Sequence, residues 1–335
     1  MKALVICTGG GIGDVLLATP AMRALRSRYD GVVALTTPAH REVLEAQTFL
    51  DDVWFDDGGF AALSRRIAAA RFDAAIVTWS TLRSAALPFA GRVPVRVGQA
   101  RRPYSILYDQ RVVVRSELGD RTTHWTQVLL DYARALGCDT DDATPTFPLT
   151  SAAAAEAERI VAHVPLLQPF VILHSTRGIA AANARWPTQG LAALGRALRD
   201  ATGCTLVVTG SANDREIAER VAAEAGGVSI AGRTSLGAFG ALAARARAVI
   251  AMDSGPMHVA AAVGAPTVGI FALQSDEPDR WAPLGPRTAV VRATYPCPPS
   301  HRKETCPDFA CVAQLDVARI LAALGGLLQR REENP

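Results

Sequence analysis

Short runs of apolar and β-branched residues alternate with longer stretches of helical period along nearly the whole chain, the pattern of parallel sheets with crossover helices. In the first half the runs Ala3 to Cys7, Val32 to Thr36, Asp52 to Phe55, Ala74 to Thr78 and Val95 to Gly98 predict strands. Most lack an alternating polar face, as strands covered on both sides do. The second half repeats the theme at Phe170 to His174, Thr205 to Thr209, Val228 to Ile230, Ala248 to Met252 and Thr267 to Phe271. Between the halves, residues 139–169 carry Pro145, Pro148, Pro165 and Pro169 around one Ala/Glu-rich helix, which predicts a domain boundary. The expectation is an α/β protein with a first domain over 1–160, a second over 161–313 and a terminal apolar helical segment over 314–335. Two similar α/β halves imply a cleft between them.

With 335 residues, 49% of them hydrophobic and 20% charged, the chain can bury large cores and is not disordered. No apolar run reaches the roughly 18–20 residues of a membrane span, and the first residues lack a signal-peptide pattern. A cytoplasmic protein is expected. A net charge of +3, widely dispersed, argues against a nucleic-acid partner. One segment is locally basic: arginines 83, 92, 96, 101, 102, 111 and 115 stand against the single acid Asp109, which suits an acidic acceptor, anionic lipid head groups or a solvated face. Cys7, Cys138 and Cys204 sit singly in apolar or helical surroundings, as buried thiols do. Cys297, Cys306 and Cys311 cluster, with His301 as the nearby fourth candidate for zinc or iron. Their spacing matches no known finger, so reduced structural thiols are the favoured reading.

Candidate chemistry concentrates where predicted strands end. The first connection, Gly9-Gly10-Gly11-Ile12-Gly13-Asp14, fails the dinucleotide fingerprint because Asp14 stands where the last glycine is needed. Lacking a Lys-Ser/Thr pair, it fails the P-loop too. What remains is a glycine-lined loop with a carboxylate at a crevice rim, either a helix N-cap or a base. The stretch Asp253-Ser254-Gly255-Pro256-Met257-His258 opens a helix with a first-turn proline and suits a phosphate. His174-Ser175-Thr176-Arg177 followed by Arg185-Trp186-Pro187 offers hydroxyls and guanidinium groups for a pyrophosphate, with Trp186-Pro187 read as a hydrophobic staple. Gly210 to Glu216 offers carboxylates to a ribose, or a capping box joining Ser211 or Asn213 to Glu216.

The order of these motifs resembles glycosyltransferase family 9, typified by the ADP-heptose:lipopolysaccharide heptosyltransferases. The matching residues are Gly11-Ile12-Gly13-Asp14 with Thr19-Pro20 and Leu25-Arg26, then Arg185-Trp186-Pro187, Gly210-Ser211, and Asp253 to His258 with Ala260-Ala261 and Gly264-Ala265-Pro266. The resemblance implies a GT-B fold of two Rossmann-like domains, the donor bound mainly by the second, the acceptor by the first, and a C-terminal helix returning toward the first. It implies that Asp14 is the catalytic base on an acceptor-side loop with Gly11 and Gly13. It further implies that Ser175, Thr176 and Arg185 contact pyrophosphate, Asp214 or Glu216 the ribose, Thr234 and Ser235 the adenine, and Asp253, Ser254, Gly255 and His258 the diphosphate and sugar. The implied activity is inverting transfer of heptose from ADP-heptose to a hydroxyl of the lipopolysaccharide inner core, an acidic glycolipid, with peripheral contact at the inner membrane and no required metal. Another nucleotide sugar, a protein or small-molecule acceptor, or a non-catalytic nucleotide-sugar binder are the alternatives. The chain departs from the family where Ala272-Leu273-Gln274-Ser275 replaces a frequent Gly-Pro-Thr.

Overall fold

A computed structural model describes residues 1–164, 168–174, 186–272, 277–296, 298, 306 and 309–333, with side chains as far as residue 329. The chain divides into two compact units, Met1–Pro148 and Leu149–Pro335.

The first unit holds strands β1 (Lys2–Cys7), β2 (Gly31–Thr36), β3 (Asp52–Phe55), β4 (Ala74–Val77), β5 (Val95–Gln99) and β6 (Gln110–Val112). All pairs are parallel and the sheet order is β3-β2-β1-β4-β5-β6. In the middle, Val5 lies opposite Ala34 on one side and Ile76 on the other. Leu4, Ile6, Leu35, Ala75 and Val77 project into one core cluster with Trp54, Ile67 and Leu87. Full burial of each such Leu or Ile stabilises the domain by about 1.5–3 kcal/mol.

The second unit repeats this plan with β7 (Phe170–His174), β8 (Thr205–Thr209), β9 (Val228–Ser229), β10 (Ala248–Met252), β11 (Thr267–Phe271) and β12 (Thr288–Arg292). Its order, β12-β11-β10-β7-β8-β9, is again parallel throughout. Read from the first strand of each unit, the two topologies are identical. Both reverse direction beside that first strand, between β1 and β4 and between β7 and β10, and such switch points open a crevice at the carboxyl ends of the strands.

Several sequence expectations change here. The strands β6 and β12 were not predicted: β6 has three residues, two of them exposed, and gives no apolar run. The helical stretch after the glycine loop is three pieces, Ile12–Leu17, Thr19–Ala24 and a 3-10 turn Leu25–Ser27. Pro20 has no N–H to continue the ladder, and the Thr19 hydroxyl instead donates to the Leu16 carbonyl at 2.7 Å. That buried hydroxyl also accepts from the Thr146 N–H at 3.1 Å, so Thr19-Pro20 ties the last segment of the unit to its first helices. The helix Ser151–Ala162 packs on the helix Leu236–Arg245, where Glu156 accepts from the Ser235 N–H and hydroxyl at 2.9 and 2.7 Å. The units therefore divide ahead of this helix rather than within its last turn at 160. The terminal helix Val317–Glu333 buries Ile320, Leu324 and Leu327 in the core of the second unit, packing against β12 and the helix Thr188–Thr202.

Candidate active site

In the first unit the chain leaves β1 through Gly9 and Gly10, and Gly10 adopts φ +76°, a left-handed conformation that suits glycine. A Cβ on Gly10 would lie 2.6 Å from Asp14 Oδ2, so the turn needs a bare backbone to let the carboxylate fold over it. Asp14 is not the N-cap of the following helix. That position is Gly11, and Asp14 is the third helical residue, reaching back to accept from the Gly11 N–H at 2.7 Å. The capping and catalytic readings thus coexist, because a carboxylate has more lone pairs than this one donor uses.

Asp14 is half-buried, and the partial burial raises its pKa above the ordinary carboxylate value, against the opposing pull of the Gly11 N–H and the charge of His40. His40, only 6% exposed, has its pKa lowered by burial, with Asp14 pulling the other way. Its Nδ1 is 3.2 Å from the Thr37 hydroxyl and 3.4 Å from that of Thr36. A neutral imidazole near Asp14 leaves the carboxylate more basic than a fixed cation would. Sequence reading missed His40, whose Thr37-Pro38-Ala39 surroundings look like an ordinary turn after β2.

In the second unit the helix Gly255–Ala262 starts just beyond β10, at the switch point with β7. Ser254 occupies the N-cap with extended backbone, yet its hydroxyl donates back to the Met252 carbonyl at 2.9 Å and makes no cap bond. The first-turn N–H groups are therefore not satisfied by that side chain, and Pro256 in the first turn removes a donor that needs no partner. Such an end favours an anion. Asp253 is half-buried beside it, its N–H bonded to the Ile270 carbonyl at 3.0 Å, and His258 is 4% exposed one turn into the helix.

On the far side of β7, the loop after β8 turns on Ser211, whose N–H and hydroxyl both donate to the buried Asp214 carboxylate. This corrects the expected capping pair, which joined Ser211 or Asn213 to Glu216. Glu216 is exposed and pairs with Arg220 at 3.2 Å, so it is the carboxylate free to turn outward while Asp214 is spent inside the loop. The loops after β8 and β9 are tied through the Gly232 N–H, which donates to the Gly210 carbonyl at 2.9 Å, and this brings Thr234 and Ser235 to the same end. Ser235 caps the helix Leu236–Arg245 by accepting from the Ala238 N–H at 3.1 Å. With Glu156 on its other side, its polar atoms are engaged within the protein. His174, at the end of β7, is buried with Nδ1 2.9 Å from the Thr209 hydroxyl, and burial pushes its pKa down to about 4. Ser175, Thr176 and Arg185 lie outside the described residues, as do Cys297 and His301. Trp186 is buried, its indole so close over Gly190 that a Cβ there would lie 2.4 Å from Nε1, in keeping with a staple at the start of the helix Thr188–Thr202.

Two further sequence readings can be placed. Four of the seven arginines between 83 and 115 form ion pairs: Arg83 with Asp56, Arg96 with Asp109, Arg102 with Glu117 and Arg115 with Asp131, at 2.6–3.0 Å. Three of those acids lie outside the segment, so most of its local charge is balanced. Of the clustered cysteines, Cys311 is buried and Cys306 Sγ accepts from the Phe309 N–H at 3.4 Å. Among the described residues no group of three or more His, Cys, Asp or Glu is arranged to hold a metal, and no helix is long and apolar enough to cross a membrane.

Two doubly wound units of identical order, one with a half-buried carboxylate and the other with an anion-seeking helix start at its switch point, have the fold of the GT-B class. The chain belongs to glycosyltransferase family 9 (heptosyltransferase), whose family model matches residues 60–308. Lipopolysaccharide heptosyltransferase 2 of Escherichia coli (strain K12) is 26% identical over 353 residues, covering 99% of this chain and 100% of that protein. Among solved structures, the family 9 glycosyltransferase of Veillonella parvula DSM 2008 aligns with a TM-score of 0.83 at 19% identity, over 98% of this chain and 97% of that one. The E. coli ADP-heptose lps heptosyltransferase II aligns with a TM-score of 0.81 at 22% identity, over 99% of this chain and 100% of that one.

Proposed function

We propose that this enzyme moves a heptose from ADP-heptose to a hydroxyl of a lipopolysaccharide inner-core acceptor, with inversion at the anomeric carbon and Asp14 as the general base. The observation that carries the reading is the half-buried Asp14 carboxylate, folded over the glycine turn at the end of β1 with a raised pKa. In the step, the acceptor oxygen bonds to the anomeric carbon, the bond from that carbon to the phosphate oxygen breaks, the hydroxyl proton passes to Asp14, and ADP departs. The charge growing on the leaving diphosphate is met by the positive end of the helix Gly255–Ala262. Gly11 and Gly13 line the acceptor side, Ser175, Thr176 and Arg185 hold the pyrophosphate, and Glu216 is favoured over Asp214 for the ribose because it faces outward. Thr234 carries the adenine wall, with Ser235 contributing backbone and shape rather than a free hydroxyl. Asp253 accepts from sugar hydroxyls beside His258. The heptose in this reading is supported by the relatives, a lipopolysaccharide heptosyltransferase among them. Contact with the inner-membrane surface from the cytoplasmic side follows from a lipid-linked acceptor.

Titration calorimetry with ADP, GDP, UDP and ADP-heptose tests the donor, and ADP release on a heptose-deficient lipopolysaccharide tests the transfer. Selective binding of ADP and ADP-heptose is expected. Preference for UDP or GDP overturns the donor assignment. Because the base must be ionised, turnover falls as pH drops through the raised pKa of Asp14, with donor affinity changing less.

A further inference from the structure

The strand β4 ends beside β1 at the switch point of the first unit, and the residue two beyond its end is Trp79. A tryptophan at such a place is usually drawn into the core. Trp79 instead remains 39% exposed. Its indole lies directly across Gly9: a Cβ on Gly9 would come within 1.9 Å of Cδ1 and 2.2 Å of Nε1, so glycine there clears a seat for the ring. The next residue, Gly10, clears the corresponding seat for Asp14. Adjacent residues of one turn thus carry an aromatic face and the carboxylate, and backbone geometry keeps the two within about 11 Å of each other.

The segment bearing the indole is held in place by its own bonds. The buried Ser84 hydroxyl donates to the Trp79 carbonyl at 2.9 Å and accepts from the Thr81 N–H at 2.7 Å. Tyr104 donates to the Ser80 carbonyl at 2.6 Å, and the Tyr108 hydroxyl lies 2.6 Å from that of Ser80. A rigid, partly exposed aromatic face next to a base has a use in glycan chemistry. The polarised C–H bonds on one face of a pyranose are attracted to the negative face of an indole, while the ring hydroxyls stay outward. Stacking fixes the plane of the sugar and so aims one hydroxyl.

We infer that Trp79 is the platform on which the acceptor sugar ring stacks, a specificity-determining residue that orients the attacking hydroxyl toward Asp14. The inference rests on the proposed glycan transfer. Its test is steady-state kinetics of Trp79→Ala, Trp79→Leu and Trp79→Phe with ADP-heptose and a soluble heptose-deficient core oligosaccharide, alongside calorimetric donor affinity. Trp79→Ala and Trp79→Leu are expected to raise acceptor KM at least ten-fold with the donor Kd within two-fold, and Trp79→Phe to restore acceptor KM to within about three-fold. Removal of exposed apolar surface elsewhere, as in Leu118→Ala, is expected to change neither. Unchanged acceptor KM in Trp79→Ala overturns the platform. So does a parallel loss of donor affinity and thermal stability, which is what a purely structural indole packed on Gly9 predicts. Absence of transfer by the unsubstituted enzyme defeats the glycan-transfer reading instead. The platform is then decided by 19F NMR of protein labelled with 5-fluorotryptophan: a Trp79 resonance, identified by its loss in Trp79→Phe, that shifts on adding the oligosaccharide supports it, and one that stays in place overturns it.

Discussion

After β1 the chain turns through glycines into a helix whose third residue is a carboxylate, whereas after β10 it turns through Asp253-Ser254 into a helix whose second residue is a proline. Each turn borders the reversal of strand order in its own sheet, the first leaving the first strand of its unit and the second the fourth. What differs is where the polar capacity goes. In the first, Asp14 bends back on its own helix start and is partly desolvated, so the site is suited to holding a proton. In the second, Ser254 points back to its strand and leaves the helix start for an outside acceptor, so the site is suited to holding an anion. One scaffold thus yields a proton-holding or an anion-holding turn according to which way a single polar side chain is turned.

The comparison breaks most sharply at Asp14. Asp14→Asn is expected to lower kcat by about 10²–10⁴-fold, the usual contribution of a general base, while calorimetry finds ADP-heptose affinity within two-fold of the unsubstituted protein. The same substitution has a predictable effect on stability. A carboxylate whose folded pKa is raised favours the folded state when protonated, and that contribution is lost as pH rises through the folded pKa. Asn removes the loss, so Asp14→Asn is expected to melt higher near pH 7, by about 2–4 °C for each kcal/mol relieved, with the difference closing in acid. A drop in Tm at pH 7 would contradict the assigned burial of charge.

The second unit responds to pH through His174. Its folded pKa of about 4 lies below the ordinary histidine value of 6.5, so its contribution to stability is present above 6.5 and is lost as pH falls toward 4. The expected slope is about 1.4 kcal/mol per pH unit in that window, measured by denaturant unfolding at pH 7, 6 and 5. His174→Gln should flatten it. Smaller effects sharpen the donor side. Asp253→Ala is expected to weaken ADP-heptose binding about ten-fold with acceptor KM unchanged, the magnitude of a lost charge-assisted hydrogen bond. Glu216→Gln removes only a surface pair with Arg220, so Tm should move by less than a degree or two while donor Kd rises about three-fold. Equal donor affinities in the two variants and the parent would detach both carboxylates from the nucleotide sugar.

Much of the fold was legible because interior strands of a parallel sheet are covered on both faces and so write themselves as apolar runs. The interior strands Phe170–His174, Thr205–Thr209, Ala248–Met252 and Thr267–Phe271 match their predicted limits, and so does the edge strand Asp52–Phe55, which keeps an apolar run. β6 left no such trace because two of its three residues are exposed. The position of Asp14 at a crevice rim could be read from the failed fingerprint, but its place as third helical residue depends on the φ of Gly10, which sequence does not display. His40 and Trp79 were invisible for a related reason: each comes to the site from another strand end, and only sheet order brings those ends together. The basic segment misled because the partners Asp56, Glu117 and Asp131 arrive from outside it. Charge counted along a chain is not charge in space.

The strands at the sheet margins have a consequence for the molecule in a crowded solution. One sheet ends in the three-residue β6 and the other in the two-residue β9, while the last carbonyl of β12 is taken by the Arg319 guanidinium at 2.9 Å. At β3, Arg66 lies over the Trp54 ring at 3.9 Å and sets a charge beside that margin. Long, bare strand margins are templates on which other chains polymerise, and these are brief, charged or already engaged. The apolar interior strands thus sit behind margins that offer little template for another chain.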